Sequence, residues 1–211
     1  MLLRSMFAIL GFVMILVTML AGLGPAASQT AGKTATAIFG SGCFWCTESD
    51  FDKVPGVVAT TSGYTGGTVP NPTYEIIGTG KSGHVEVVQV TYDPAKVSYK
   101  QLLEVYWRNV DPFDDAGQFC DKGSQYRPVI FAVDAEQKKL AEESKVEKAK
   151  DLSGKFRFPV AVSVEDAKTF TAAEEYHQDF YKKNSAHYNR YRTGCGRDAR
   201  LKQIWGSLPT N

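Results

Sequence analysis

Apolar and polar residues alternate most clearly in "HVEVVQVTY", residues 84–92. That two-residue period puts His84, Glu86, Val88, Val90 and Tyr92 on one face of a strand, and Val85, Val87, Gln89 and Thr91 on the other. A longer period governs "SYKQLLEVYWRNV", where Leu102, Leu103, Tyr106, Trp107 and Val110 recur as on an amphipathic helix. "DAEQKKLAEESKVEKAK" predicts a charged surface helix with Asp134 as its N-cap. Upstream, "TATAIF" predicts a first strand, and the turn Gly40-Ser41-Gly42 delivers the chain to "CFWCTESDFDKV", a short helix ended by Pro55-Gly56. "VVATTSGYTGG" predicts a second strand. The turn-rich "TVPNPTYEIIGTGKSG" and "DPFDDAGQFCDKGSQ" predict long loops, and "YRPVIFAV" and "FPVAVSVE" two further strands. The tail is predicted helical from about Thr171. Strands and helices that alternate across long loops predict a single α+β domain, a mixed β-sheet with helices packed against it.

The 211 residues are 43% hydrophobic, enough for one domain with a proper core. Twenty-four basic and 23 acidic residues nearly cancel, which argues against nucleic acid as a partner. Before the first strand, Arg4, the apolar "MFAILGFVMILVTMLAGLG" and the small residues Ala26-Ala27-Ser28 predict a signal peptide over residues 1–28, with an uncleaved membrane anchor as the alternative. A short linker, 29–36, and one domain, 37–206, follow. The expected location is periplasmic or secreted. All four cysteines, Cys43, Cys46, Cys120 and Cys195, lie in that exported part. Two structural disulfides are the bland reading there. A domain of about 180 residues has core enough not to need them.

Three places carry chemistry. Cys43 sits at the predicted start of a helix, where backbone N–H groups and the helix dipole are expected to favour its thiolate. Glu86 shares its face with valines, and a carboxyl in apolar surroundings keeps its proton and can act as a general acid. The loop "CDKGSQYRP" brings an acidic residue and a tyrosine together just before a strand. His84, His177 and His187 are expected to be hydrogen-bonded structural histidines.

The motifs "GCFWC", "GYTGG", "NPTYE", "GHVEVV", "WRNVDP", "DKGSQYRP", "YHQDF" and "GRDARLKQIWG" resemble the A-type peptide methionine sulfoxide reductases, in order and from about Ile38 to Trp205. The resemblance implies a ferredoxin-like two-layer core with a mobile C-terminal segment, and a monomer that reduces methionine S-sulfoxide, free or in oxidised proteins. It implies Cys43 as nucleophile, Glu86 as general acid, Tyr74 and Tyr126 as donors to the sulfoxide oxygen, and Asp121 in the same site. Phe44 and Trp45 are then the aromatic pair that cages the substrate methyl group. Attack by the Cys43 thiolate leaves a sulfenic acid, a second thiol closes a disulfide, and a thioredoxin-like dithiol reduces it. No metal, flavin or nucleotide is implied.

The second thiol has two candidates. Cys195, in "RTGCGRDAR", resembles the recycling cysteine of many relatives and is favoured, with Cys46 of the Cys-x-x-Cys pair as its rival. Cys120 is expected to be a bystander. Pro128 stands where many relatives carry Ser after Gln-Tyr-Arg, with a local effect expected. A papain-like protease would need a small pair between its cysteines, which Phe44-Trp45 is not. A dithiol oxidoreductase rests on Cys-x-x-Cys alone, and a zinc module lacks a second close cysteine pair.

Overall fold

A computed structural model describes residues 32–156 and 159–207 of the chain. The expected leader, residues 1–28, lies outside them. The described chain runs β1 (Ala35–Gly40), α1 (Phe44–Phe51), β2 (Val57–Thr65), α2 (Tyr74–Gly78), β3 (Val85–Tyr92) and α3 (Tyr99–Arg108). It continues with β4 (Gly117–Gln118), β5 (Asp121–Lys122), β6 (Val129–Ala132), α4 (Ala135–Asp151), β7 (Ser163–Asp166) and β8 (Thr171–Ala172), then α5 (Phe180–Lys183), α6 (Ser185–Gly194) and α7 (Arg197–Trp205).

The main sheet has the order β7-β6-β1-β3-β2-β8, antiparallel throughout except for the β6–β7 pair. Because β1 and β2 both run antiparallel to β3, they are parallel to each other, and α1 supplies the crossover that such a pair needs. With α3 linking β3 to β6, the centre is a βαββαβ unit of order β6-β1-β3-β2, the ferredoxin-like arrangement. Alternation then sorts the strands. Ala37, Phe39, Val88, Val90 and Ile130 join Phe51, Leu102, Tyr106 and Trp107 in the main core. Ile38, Val85, Val87, Val129 and Phe131 form a smaller cluster on the opposite face. Phe39 anchors the helical layer, its ring centroid 4.8 Å from that of Phe51 and 5.4 Å from that of Tyr106.

Local chemistry explains several boundaries. Ser98 and Gln101 close a reciprocal capping box at the start of α3, and Asp134 accepts from Gln137 N at the start of α4, as its sequence predicts. The long loop after β2 hides α2, which Thr73 caps through Ile76 N. Five residues between prolines and glycines give no readable helical period.

Two expectations change. Of "FPVAVSVE" only Ser163, Val164 and Glu165 join the sheet, in β7, and Ala161 N donates instead to Pro112 O; Phe158 lies outside the described residues. The tail is not helical from Thr171. Thr171 and Ala172 pair with Tyr64 and Gly63 at the sheet edge, and Gln178 bonds both backbone groups of Ser62, so helix begins only at Phe180.

The segment expected to be mobile forms α6 and α7, tied to the elements beneath them. Arg192 Nη1 donates to Asp50 on α1 at 2.8 Å. Arg197, 1% exposed, donates to the carbonyls of Ser41 and Asn109 and stacks over Phe119.

Candidate active site

β1 ends at a turn whose Gly42 has φ +86°, and a Cβ there would lie 2.6 Å from Cβ of Gln118. Only glycine fits that backbone and that contact. The turn sets Cys43 as the N-cap residue of α1. On the neighbouring strand, the register pairs Phe39 with Val88, so Glu86 lies level with the turn that precedes Cys43. Sheet pairing thus brings together two residues 43 positions apart.

Glu86 is 1% exposed, and its Oε2 accepts a 3.0 Å hydrogen bond from the Phe44 backbone N–H. Burial pushes its pKa up to about 8, against the opposing pull of that bond. The acid therefore holds its proton at neutral pH, as the apolar face of β3 predicts.

The expectation for Cys43 changes. Burial pushes its thiol well above the ordinary range, and neighbouring Cys46 and Glu86 push it further. The helix N-terminus does not offset this, because the Phe44 N–H is spent on Glu86 and the Cys43 side chain takes no capping bond. Cys46 titrates lower. It takes the hydrogen bond of the Cys43 thiol and, although buried, lies in the field of Arg197. Cys43 therefore rests as a thiol.

Cys43, Phe44, Trp45, Tyr74, Glu86, Asp121, Tyr126, His187 and Tyr191 line one cavity of about 270 Å³. Every residue the sequence assigned to substrate chemistry is in that lining. The Tyr74 and Tyr126 side chains meet in its lining; burial lifts the Tyr74 hydroxyl to about 12 and Tyr126 higher, so both keep their protons. Tyr74 is set by its backbone N–H, which donates to Glu174 Oε1 at 2.9 Å, while Tyr64 OH donates to Oε2 of the same carboxylate. Asp121 is raised by burial, and the Tyr191 hydroxyl donates to its Oδ2.

The aromatic wall is held from behind. Trp45 Nε1 donates to Nδ1 of buried His177 at 3.1 Å, and its ring stacks on Phe180 with centroids 3.7 Å apart. That bond leaves neutral His177 with its proton on Nε2 and sets the tilt of the Trp45 ring, the structural role expected of the histidine. His84 is likewise structural, its Nε2 against Val69 O at 2.8 Å. His187 is exposed at the rim. Sequence reasoning missed Tyr191, which touches both Asp121 and the Cys43 thiol. Its one signal was its place in "NRYRTGC", a helical turn before Cys195.

Cys120 is not a bystander. It forms a disulfide with Cys195, Cα to Cα 4.8 Å, whereas Cys43 and Cys46 are free thiols. Asp121 follows Cys120 directly, so the disulfide borders the cavity. Cys195, favoured as the partner of Cys43, is here the partner of Cys120.

The family model described as "Peptide methionine sulfoxide reductase" matches residues 35–208. The chain is 54% identical over 188 residues to "Peptide methionine sulfoxide reductase MsrA 2" of Caulobacter vibrioides, spanning 89% of this chain and 94% of that one. It is 51% identical over 177 residues to "Peptide methionine sulfoxide reductase MsrA" of Listeria monocytogenes, spanning 84% and 99%. Among solved structures, methionine sulfoxide reductase A of Corynebacterium diphtheriae superposes with a TM-score of 0.69 at 33% identity, over 72% of this chain and 76% of that one. Mxr1 of Saccharomyces cerevisiae in its reduced form gives 0.67 at 30% identity, over 72% and 87%. The family match runs from the start of β1 to beyond the end of α7, and by it the chain belongs to the peptide methionine sulfoxide reductase family.

Proposed function

We propose that the chain reduces methionine S-sulfoxide, free or within oxidised proteins, with Cys43 as nucleophile and Glu86 as general acid. One observation carries this reading: a buried carboxyl with a pKa of about 8 shares a small, aromatic-walled cavity with a cysteine. A sulfoxide sulfur accepts a nucleophile only when its oxygen is relieved of negative charge. Glu86 protonates that oxygen, and the Tyr74 and Tyr126 hydroxyls donate hydrogen bonds to it. Phe44 and Trp45 pack against the methyl group on the sulfur under attack.

The protons balance within the site. The hydrogen that Glu86 gives to oxygen is replaced by the one the Cys43 thiol loses as its sulfur attacks. The oxygen passes to Cys43, which becomes a sulfenic acid, and methionine leaves. Glu86 ends as it began. A second thiol, Cys195 or Cys46, then condenses with the sulfenic acid, releasing water, and a thioredoxin-like dithiol restores the thiols. A raised resting thiol suits this cycle, since attack is coupled to protonation of a bound substrate rather than available to any electrophile.

The leader-like residues 1–28 support a place outside the cytoplasm, periplasmic or secreted, and the protein acts as a monomer in repair of oxidised proteins. Turnover of the two methionine sulfoxide epimers with a small dithiol tests the reading. Consumption of the S epimer alone is expected; equal consumption of both, or of neither, overturns it.

A further inference from the structure

Opening the Cys120–Cys195 bond leaves two thiols where the fold has already set a carboxylate. Asp121 follows Cys120 directly, and one donor atom each from Cys120, Asp121 and Cys195 lie within 4.8 Å of one another. Two sulfurs held at about 2.3 Å by one tetrahedral zinc ion stand about 3.8 Å apart. The three donors therefore reach a common centre by side-chain adjustment alone. The two cysteines are 75 positions apart in the chain, so no close second pair marks them in the sequence.

We propose that the reduced protein binds one thiol-seeking divalent cation, of the zinc class, through Cys120, Asp121 and Cys195, with water in the fourth position, and that disulfide formation expels it.

The donors sit on elements that stand without the disulfide. Cys120 lies in the two-residue turn of the β4–β5 hairpin, where Gln118 pairs with Asp121. Gln118 is fully buried and its amide bonds both the N–H and the carbonyl of Asp111. Cys195 closes α6, its N–H donating to Tyr191 O at 2.9 Å. Asp121 is also oriented. The Tyr191 hydroxyl donates to Oδ2, while Oδ1 lies 3.8 Å from the Cys120 sulfur. A donor in that outer position fixes which oxygen a ligating carboxylate offers.

Charge points the same way. Two thiolates and a carboxylate converge, and the cationic side chains nearby are engaged elsewhere. Lys122 pairs with Asp114, and Arg197 donates to the carbonyls of Ser41 and Asn109. A divalent cation leaves a single negative charge. Cys120 is exposed, so the cation enters from solvent. Cys43 and Cys46 offer no equal site: they are 7% and 1% exposed, and the adjacent Glu86 already accepts from Phe44 N.

Expulsion balances with a peroxide as oxidant. The two thiolates give it two electrons, the sulfur–sulfur bond forms and the oxygen–oxygen bond breaks. With two protons from solvent, hydrogen peroxide becomes two waters. The cation loses two of its three protein ligands and leaves.

Full-length protein, reduced and freed of reductant without air, is titrated with Zn²⁺ against a chromogenic chelator. One equivalent bound per chain is expected; none overturns the proposal. The disulfide form and reduced Cys120→Ser should each bind at least about 100-fold more weakly, because a lost ligand costs more than the 10–100-fold of a lost outer-shell partner. Asp121→Asn should weaken binding at least about tenfold while the Cys120–Cys195 disulfide still forms; equal affinity removes Asp121 from the site. Cys43→Ser should bind as wild type does. Binding kept in Cys120→Ser and lost in Cys43→Ser would put the cation on the inner pair and overturn the assignment. Hydrogen peroxide added to the zinc-loaded protein should release the cation in step with the Cys120–Cys195 bond; a disulfide formed with the cation retained contradicts expulsion. None of these readouts requires turnover, so they stand apart from the reading of the cavity.

Discussion

Glu86 and Glu48 are both 1% exposed, and each accepts a backbone N–H: Glu86 from Phe44, Glu48 from Asp179, both at 3.0 Å. Burial raises both, Glu86 to about 8 and Glu48 to about 7. Glu86 opens onto the cavity, opposite a thiol and two tyrosines. Glu48 looks the other way along α1, into the seam where the chain turns into α5. A protonated buried carboxyl becomes a catalytic acid only when a substrate can be placed against it. Desolvation sets the pKa; the neighbouring space sets the use.

The largest expected difference between the two is in rate. Glu86→Gln should slow reduction of methionine S-sulfoxide by about 10²–10⁴-fold at neutral pH, the usual worth of a positioned general acid, measured as single-turnover methionine release. The wild-type rate should fall as pH rises through about 8, where Glu86 loses its proton, and that fall should be missing in the variant. Next come the donors. Tyr126→Phe and Tyr74→Phe should each cost about 10–10²-fold in kcat, somewhat less than a fixed backbone donor to an oxyanion, with KM moved little.

A stability measurement distinguishes the anchoring of the tail. Asp50 is 3% exposed and meets Arg192 at 2.8 Å and Arg197 at 3.5 Å. Asp50→Ala leaves two arginines short of a partner and should lower unfolding free energy by about 3–5 kcal/mol in denaturant titration.

Glu48→Gln should show the smallest effect, a rate within about twofold of wild type. Its signature is in the pH dependence of stability. A carboxyl raised in the folded chain contributes stability that is complete below about 4.5, the ordinary glutamate value, and is lost as pH rises through about 7. Relative to wild type, the glutamine variant should therefore gain in Tm between pH 5 and pH 8. A fall in its rate as deep as that of Glu86→Gln would erase the distinction between the two carboxyls.

How far the sequence reveals the molecule follows from how local each signal is. Glu86 was legible because the alternation of β3 is strong, and the same valines that mark its face also desolvate it. The strands of the core were legible from short-range patterns, and their ferredoxin-like arrangement only through the resemblance. The tail was misjudged for the opposite reason. Its structure depends on Gln178 and Glu174 reaching β2 and Tyr74 across more than 90 residues, which no local period records. Cys43 was placed correctly and its ionisation was not, because the donor expected to help it is taken by Glu86. Cys120 and Tyr191 depend on a contact between one loop and α6, visible only once the chain is folded.

The most direct test of the chemistry uses a chain in which Cys46, Cys120 and Cys195 are serine, leaving Cys43 alone. Mixed with excess methionine S-sulfoxide without reductant, it should release one equivalent of methionine and carry one dimedone-reactive sulfenic acid, on Cys43. Release of no methionine from a folded protein, or of methionine with Cys43 unoxidised, would contradict the account.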